Sequence, residues 1–347
     1  MVEATRSAKK GASSKMDSSI KSNSYAMKVS PRSKELTLPK TNLTEYWKKC
    51  QEREKLQADK KAIKYSNRSV YYGELKDQKR HDKEGELAWF SGNDDIAAMF
   101  KGEFLNGVME CGTILYNGGS YYQGSWKNGK WHDSKGKYVR SDETEYVGNF
   151  SGGVMMGDDF YIHWKRANVR YHGSVKNNKL EGIGTMTYSD DTKIEGVWRD
   201  DKLDRTKDHV LKLKDDTIIA KNLFNPESGQ LEGDGELIMG SCTYKGNWSN
   251  GKLNGKGILQ QSDGGVYEGD FKNNVREGQG TYTWPDDQGI YTGPWVQGRR
   301  TGEDGKMIWK ENGQETDTFV GSWKDGAIIK GTLTDAQKQT YAIDNTN

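Results

Sequence analysis

Five histidines, His81, His132, His163, His172 and His209, are the first side chains in this chain of 347 residues that could do acid–base or metal chemistry. Zinc sites need ligands at fixed spacing, as in HExxH, and these histidines form no such pair. His172 stands directly before Gly173, at a variable position of a repeated pattern, and reads as a solvent-facing side chain. The acid pairs Asp158-Asp159 and Asp190-Asp191 have the composition of a general acid–base pair or a Ca²⁺ loop. Both fall where turns are expected, and turn acids are ordinarily solvated. Gly182 and Gly184, Gly233 and Gly235, Gly255 and Gly257, and Gly278 and Gly280 form Gly-x-Gly pairs that superficially suggest phosphate loops. They precede strands, so no helix N-terminus follows to receive an anion. The nucleophile-elbow, P-loop and dinucleotide motifs are absent from the sequence. The reading therefore assigns no catalytic residue, no metal ligand and no cofactor, and expects a chain that is not an enzyme.

Composition points instead to a framework of strands. Only 33% of residues are hydrophobic and the mean hydropathy is −0.97, yet the chain carries 11 Trp and 18 Tyr. With 42 Gly and 5 Pro, it describes short strands joined by tight turns better than a helical protein. Cys50, Cys111 and Cys242 are odd in number and form no CxxC pair, which favours a reducing, cytoplasmic compartment over a disulfide framework. No apolar run approaches the roughly 18 residues of a membrane span, and the N-terminus lacks the apolar core of a secretory signal. Val2 stands where N-myristoylation needs glycine.

Charge divides the chain. Residues 1–68 hold 17 Lys and Arg against 7 Asp and Glu, while the whole chain is only +2, so a basic arm joins a mildly acidic body. Residues 1–40 are rich in Ser and Lys and lack hydrophobic periodicity, which predicts a disordered tail. A helix is expected within 41–66, from about Leu43 to Ile63, with Asn42 as N-cap and Glu45 completing a capping box.

From Tyr71 onward the sequence repeats. An aromatic residue, a glycine two positions on and a second large apolar residue two further on recur. The framework residues are Tyr71 and Gly73; Phe100 and Gly102; Tyr122, Gly124 and Trp126; Tyr146 and Gly148; Tyr171 and Gly173; Gly196 and Trp198. They continue as Tyr244, Gly246 and Trp248; Tyr267 and Gly269; Tyr291, Gly293 and Trp295; Phe319, Gly321 and Trp323. The ten marker glycines are spaced 29, 22, 24, 25, 23, 50, 23, 24 and 28 residues apart. The spacing of 50 contains an eleventh, degenerate unit in which Lys221 is read in place of glycine. Asn-Gly or Asp-Gly follows in the better copies, as at Asn128-Gly129, Asn250-Gly251 and Asp325-Gly326, and tolerates the positive φ of a tight hairpin turn.

The whole pattern, YxGxW-(K/S)NGK-xxGxG-xYxxxDG, resembles the MORN repeat, with Tyr244 to Gly269 nearest its consensus. The resemblance implies an all-β fold: an elongated array of about eleven consecutive MORN hairpins over 67–331, with a short N-terminal helix and a C-terminal tail over 332–347. A lone hairpin is marginal in water, so each must stack on its neighbours. The aromatic, glycine and Trp positions share one strand face, and a missing Cβ lets a ring or backbone pack directly over the strand. Each buried aromatic contributes about 2–3 kcal/mol. Lys221 should break the ladder by a bend, a bulge or an exposed side chain. The helix is expected to cover the first open edge, leaving the hairpin near Gly321 to Ile329 less protected and open to dimerisation through an array end.

Two functions follow. The first is a non-catalytic scaffold that binds other proteins; by resemblance to stand-alone MORN arrays it would be a radial-spoke-head-like axonemal component of a cilium or flagellum, or a cytoskeletal one. Tyr122, Trp126, Tyr267, Tyr291, Trp295 and Trp323 are the candidate partner anchors, unless they only fill the repeat core. The second is tethering at the membrane periphery, with the basic arm over 1–68 held to anionic lipid. Nucleic-acid binding has only charge behind it and is not expected.

Overall fold

The computed structural model describes residues 42–213 and 218–346, so the tail expected over 1–40 lies outside the described residues. The chain forms two compact units: one holds 42–189 with 198–202, the other 190–197 with 203–346 among the described residues.

The first unit opens with α1 (Leu43–Leu56), whose N-cap Asn42 accepts the Glu45 backbone N–H at 2.9 Å. The helix stops at Leu56 instead of continuing to Ile63. Lys61–Lys64 is a strand, with Ile63 opposite Tyr71. The reason is local: Lys-Ala-Ile-Lys no longer carries the helical apolar spacing, and the Ala62 N–H is taken by the Glu54 carboxylate at 3.2 Å. As expected, α1 reaches the first edge, where Glu54 takes the Ala62 N–H and pairs with Lys61 at 3.6 Å. The helix lies on a sheet face, burying Tyr46 and Cys50 against Val70, Tyr72, Ala88, Phe90 and Ile96. The first edge strand among the described residues is Lys61–Lys64.

Antiparallel strands follow in chain order, from Ser69–Gly73, Asp82–Phe90 and Ile96–Leu105 to Val169–Lys176 and Lys179–Thr187. The second unit repeats this plan from Gly233–Met239 through Val266–Lys272 and Gly289–Val296 to Thr340–Asp344. Its register is set by glycine: Gly235, Gly246, Gly257, Gly269, Gly280 and Gly293 stand opposite one another across successive strands. A Cβ on Gly269 would lie 2.5 Å from the Cα of Gly280, so facing strands can sit this close only without side chains.

That register corrects the degenerate unit. Leu237 faces both Ala220 and Tyr244, and Lys221 faces Glu236, which puts Asn222 opposite Gly235. Asn222, not Lys221, holds the glycine position, and its φ of 59° is one that asparagine tolerates better than most residues. Lys221 keeps a regular ladder partner; its side chain stays 45% exposed and meets Glu236 at 3.3 Å.

The hairpin near Gly321 is not the last element. Ala327–Thr334 pairs with Thr340–Asp344, with Tyr341 opposite Leu333 and Ile343 opposite Gly331. Tyr341, Ile343 and Asn345 therefore fall at the aromatic, glycine and Trp positions of a further half-unit within the expected tail. Ile343 carries a Cβ where the two strands before it have Gly321 and Gly331. Tyr341 stays 46% exposed and bonds Asp335 at 3.1 Å instead of folding over its strand.

Successive turns are clamped to one another. The Asn274 N–H donates to Leu253 O at 3.0 Å while its Oδ1 accepts the Leu253 N–H at 2.7 Å. Asn178 makes the same pair of bonds with Met155, and Asp201 with Leu180. Asn274 has φ 74°. Asn274→Ala removes the acceptor and places alanine in the left-handed region, so it is expected to cost about 2 kcal/mol. Asn274→Gly should cost less, because it removes only the bond. Urea unfolding of both variants reads the difference, and an alanine variant as stable as wild type would refute the clamp.

Candidate functional site

The repeat holds itself together with its most reactive-looking groups. In five units the marker tyrosine folds its ring back over the glycine two residues on and donates its hydroxyl to the carbonyl three residues on. Tyr71 bonds Glu74 O at 2.8 Å, Tyr122 Ser125 O at 3.2 Å and Tyr171 Ser174 O at 2.8 Å. Tyr267 bonds Asp270 O at 3.0 Å and Tyr291 Pro294 O at 3.1 Å. The glycine is required from within its own strand, since a Cβ on Gly73 would stand 2.4 Å from the Tyr71 hydroxyl. Burial pushes the Tyr171 and Tyr291 hydroxyls up to about 12, with the Arg300 charge opposing it at Tyr291. Both therefore remain donors at neutral pH. Tyr146 and Tyr244 are half-buried; Tyr146 stacks on Tyr138 instead.

Three of the five marker tryptophans tie strands together, while the buried indole N–H groups of Trp126 and Trp248 find no partner among the described residues. The indole N–H of Trp198 donates to Gly184 O at 3.1 Å, that of Trp295 to Gly280 O at 3.1 Å and that of Trp323 to Gly305 O at 3.4 Å. Arg276 and Arg300 cover the last two, with guanidinium carbons 4.5 and 4.4 Å from the indole centroids, and donate to Gly298 O and Gly326 O. Arg80 does the same with Phe104 and Gly107 O. Sequence reasoning missed these staples. The signal was the residue facing the marker apolar across the turn, which is Leu180 opposite Val175, Leu253 opposite Trp248 and Arg300 opposite Trp295.

The six proposed anchors are consequently core residues. Tyr122, Tyr267 and Tyr291 are 0% exposed, and Trp126, Trp295 and Trp323 no more than 7%. They present nothing to a partner in this fold. The histidines do not converge either: His209 is buried and holds a turn, its backbone N–H donating to Asn222 Oδ1, while His172 makes an exposed pair with Asp159 at 2.7 Å. The Asp190 carboxylate accepts the Thr192 N–H, as a turn acid does. Among the described residues no cluster of His, Cys, Asp and Glu could hold a metal ion, and no helix is long and apolar enough to cross a membrane.

What remains available is the face opposite the aromatics. In the second unit it forms two adjacent rows across the strands. One row runs Glu236, Lys245, Ile258, Glu268, Thr281, Thr292, and a groove of about 640 Å³ lies along it. The other runs Val266, Thr283, Ile290, Ile308 and Thr318.

In the first unit α1 occupies this same face. The Arg53 guanidinium lies 3.9 Å from the Tyr72 ring centroid and bonds Glu86 at 2.8 Å; the Tyr46 hydroxyl reaches Glu86 at 3.3 Å. Burial pushes the Glu86 carboxyl up, but Arg53 and then Lys101 outweigh it and hold the group below the usual carboxylate range. Burial also pushes the Cys50 thiol up to about 11. A carboxyl depressed by folding stabilises above its unfolded pKa, and that contribution is lost as pH falls through the folded value. Docking of α1 should therefore loosen in acid, seen as a red shift of Trp47 fluorescence. At pH 8, Glu86→Gln should speed alkylation of Cys50 about fivefold, corresponding to roughly 1 kcal/mol after allowing for the half-exposed Arg53. Unchanged labelling would show that the ion pair does not hold the helix.

The MORN repeat family matches residues 122–144, 171–193, 244–266 and 267–289. A stretch of 87 residues is 33% identical to alsin from Rattus norvegicus and 32% identical to alsin from Mus musculus and from Homo sapiens. It covers 25% of this chain and only 4% of the length of those relatives. MORN repeats mediate protein or membrane interactions and constitute a non-catalytic repeat family. Hairpins in glycine register, tyrosines folded over glycine and four matching segments together make the chain a MORN-repeat protein.

Proposed function

We propose that this chain is a non-catalytic scaffold that holds other proteins on the sheet face opposite its aromatics. One observation carries the reading: the aromatic, glycine and arginine groups are spent inside the repeat, while the opposite face presents regular rows of aliphatic and charged side chains over many strands. A rigid, repeated surface of this kind suits binding an extended partner. The likeness to stand-alone MORN arrays supports an axonemal or cytoskeletal setting. Affinity purification of the full chain tests it, with a second sample lacking residues 1–41 so that α1 is preserved. Axonemal or cytoskeletal proteins retained by both samples are the expected outcome; no protein retained by either would sink the reading.

The charge of the N-terminal arm favours a second reading, attachment to anionic lipid. Residues 1–68 carry 17 basic against 7 acidic side chains, and each Lys or Arg near an anionic leaflet contributes about 1 kcal/mol, screened by salt. Flotation with phosphatidylserine vesicles at low and high salt separates the readings. Salt-sensitive flotation that is lost with residues 1–41 supports tethering, and no flotation removes it.

A further inference from the structure

The way α1 sits on the first unit shows what the same repeat position accepts. Val70 and Met99 each stand directly before a marker aromatic, and with Ala88 between them they form one row of the face under α1. Val70 and Ala88 are fully buried there. In the second unit Val266 and Ile290 occupy that same position before Tyr267 and Tyr291, and Ile308 stands opposite Ile290. All three are half-buried, and no second α-helix among the described residues lies over them as α1 lies over Val70. The neighbouring row exposes Ile258 at 37% and Val320 at 45%.

The electrostatic half of the α1 seat recurs as well. Glu86, in the row beside Val70 and Ala88, receives Arg53 of the helix. In the second unit Glu268 stands in the equivalent row, exposed and flanked by Ile258 and Thr281. It makes no ion pair among the described residues. An aliphatic row beside an uncommitted carboxylate is complementary to a helix with an apolar stripe and one cation. The helix α1 states the spacing, since Tyr46, Cys50 and Arg53 lie on one side of it at positions i, i+4 and i+7.

We infer that this face of the second unit is a docking site for an amphipathic helix of a partner protein. That helix carries bulky apolar residues four positions apart and an Arg or Lys at i+7, which pairs with Glu268. The inference rests on the scaffold reading and names its site and partner class.

A peptide of residues 42–57 with Cys50→Ala serves as the probe, added to the full chain and followed through isoleucine methyl resonances. Saturable shifts at Ile258, Ile290 and Ile308 are expected. Ile290→Arg with Ile308→Arg should weaken binding at least tenfold, and Glu268→Lys about threefold. If the double variant fails to fold, Ile258→Lys with Val320→Lys tests the same face at exposed positions. Shifts confined to Ile63 and Ile96 would mean the peptide only exchanges with α1, and would overturn the site. So would unchanged binding by the folded variant. Shifts at Ile290 and Ile308 on deleting residues 1–41, or a dimer that Ile290→Arg dissociates, would assign the face to the chain itself and overturn a partner helix. Partners retained equally by wild type and variant would overturn this site while leaving the scaffold reading intact; partners retained by neither would overturn the scaffold.

Discussion

Trp295→Ala is expected to destabilise the second unit by about 3–5 kcal/mol, the range for truncating a buried tryptophan in a well-packed core. The indole is 4% exposed and makes edge contacts to Tyr267 at 5.2 Å and Tyr291 at 5.5 Å. It donates to Gly280 O at 3.1 Å and underlies the Arg276 guanidinium at 4.5 Å. Removing it leaves a cavity between consecutive strands, frees a buried carbonyl and strips Arg276 of the nearest of its three rings, leaving Tyr267 and Tyr282 at 5.7 Å. Arg276 has no indole to replace it, and burial already pulls its guanidinium below the usual range. Trp295→Phe keeps most of the ring contact and loses the N–H donor, so it should cost closer to 1–2 kcal/mol. Because hairpins couple to their nearest neighbours, the loss should be local. Amide exchange should accelerate first in Val266–Lys272, Val275–Thr283 and Gly289–Val296. Urea unfolding with a change below 1 kcal/mol would show that the stack does not depend on this residue.

The sequence discloses the repeat because the same steric demand recurs in every unit. Where Tyr267 must fold over Gly269, nothing but glycine fits, and the pair can be read from spacing alone. The degenerate unit was misphased by one residue because Ala220 and Asn222 replace both landmarks at once. Only the facing strand, through Leu237 and Gly235, reveals the true phase. The half-unit at Tyr341 keeps the aromatic but is hidden by Ile343, which stands where glycine is expected. The end of α1 was placed too late because Lys61 to Lys64 is charged enough to extend a solvated helix and alternates enough to form a strand; pairing with Ser69–Gly73 decides it. Residue type leaves the six anchor positions open between interface and core, and burial decides for the core. Aromatics serve interfaces and cores alike, and spacing does not show that Tyr122 or Trp323 points inward. The available face was harder still to read, since its residues occupy the variable positions of the repeat. Ile258, Glu268 and Ile290 gain meaning only when the register sets them side by side.

The tyrosine–glycine closure makes a sharper prediction, because a glycine on the tyrosine's own strand and one on the facing strand should respond differently to the same rescue. At Gly184 the three atoms nearest a new Cβ all belong to Tyr171, the closest being its hydroxyl at 2.2 Å. At Gly269 the Tyr267 hydroxyl at 2.5 Å is joined by backbone, Gly280 Cα at 2.5 Å and Gln279 O at 2.6 Å. Gly184→Ala and Gly269→Ala should each cost about 3 kcal/mol or more, since overpacking against a fixed core displaces side chain or strand. Tyr171→Leu opens the space above Gly184, at its own cost of about 2–3 kcal/mol for the lost ring and hydrogen bond. Added to Gly184→Ala it should cost far less than the sum, with a coupling of about 2 kcal/mol between the two sites. Tyr267→Leu cannot move the Gly280 backbone away from Gly269, so the second pair should be nearly additive. Two double-mutant cycles measured by urea unfolding decide the matter. Equal coupling in both would mean that the ring alone imposes glycine at both positions. No coupling in either would mean that strand proximity alone imposes it and that the tyrosine closure is incidental.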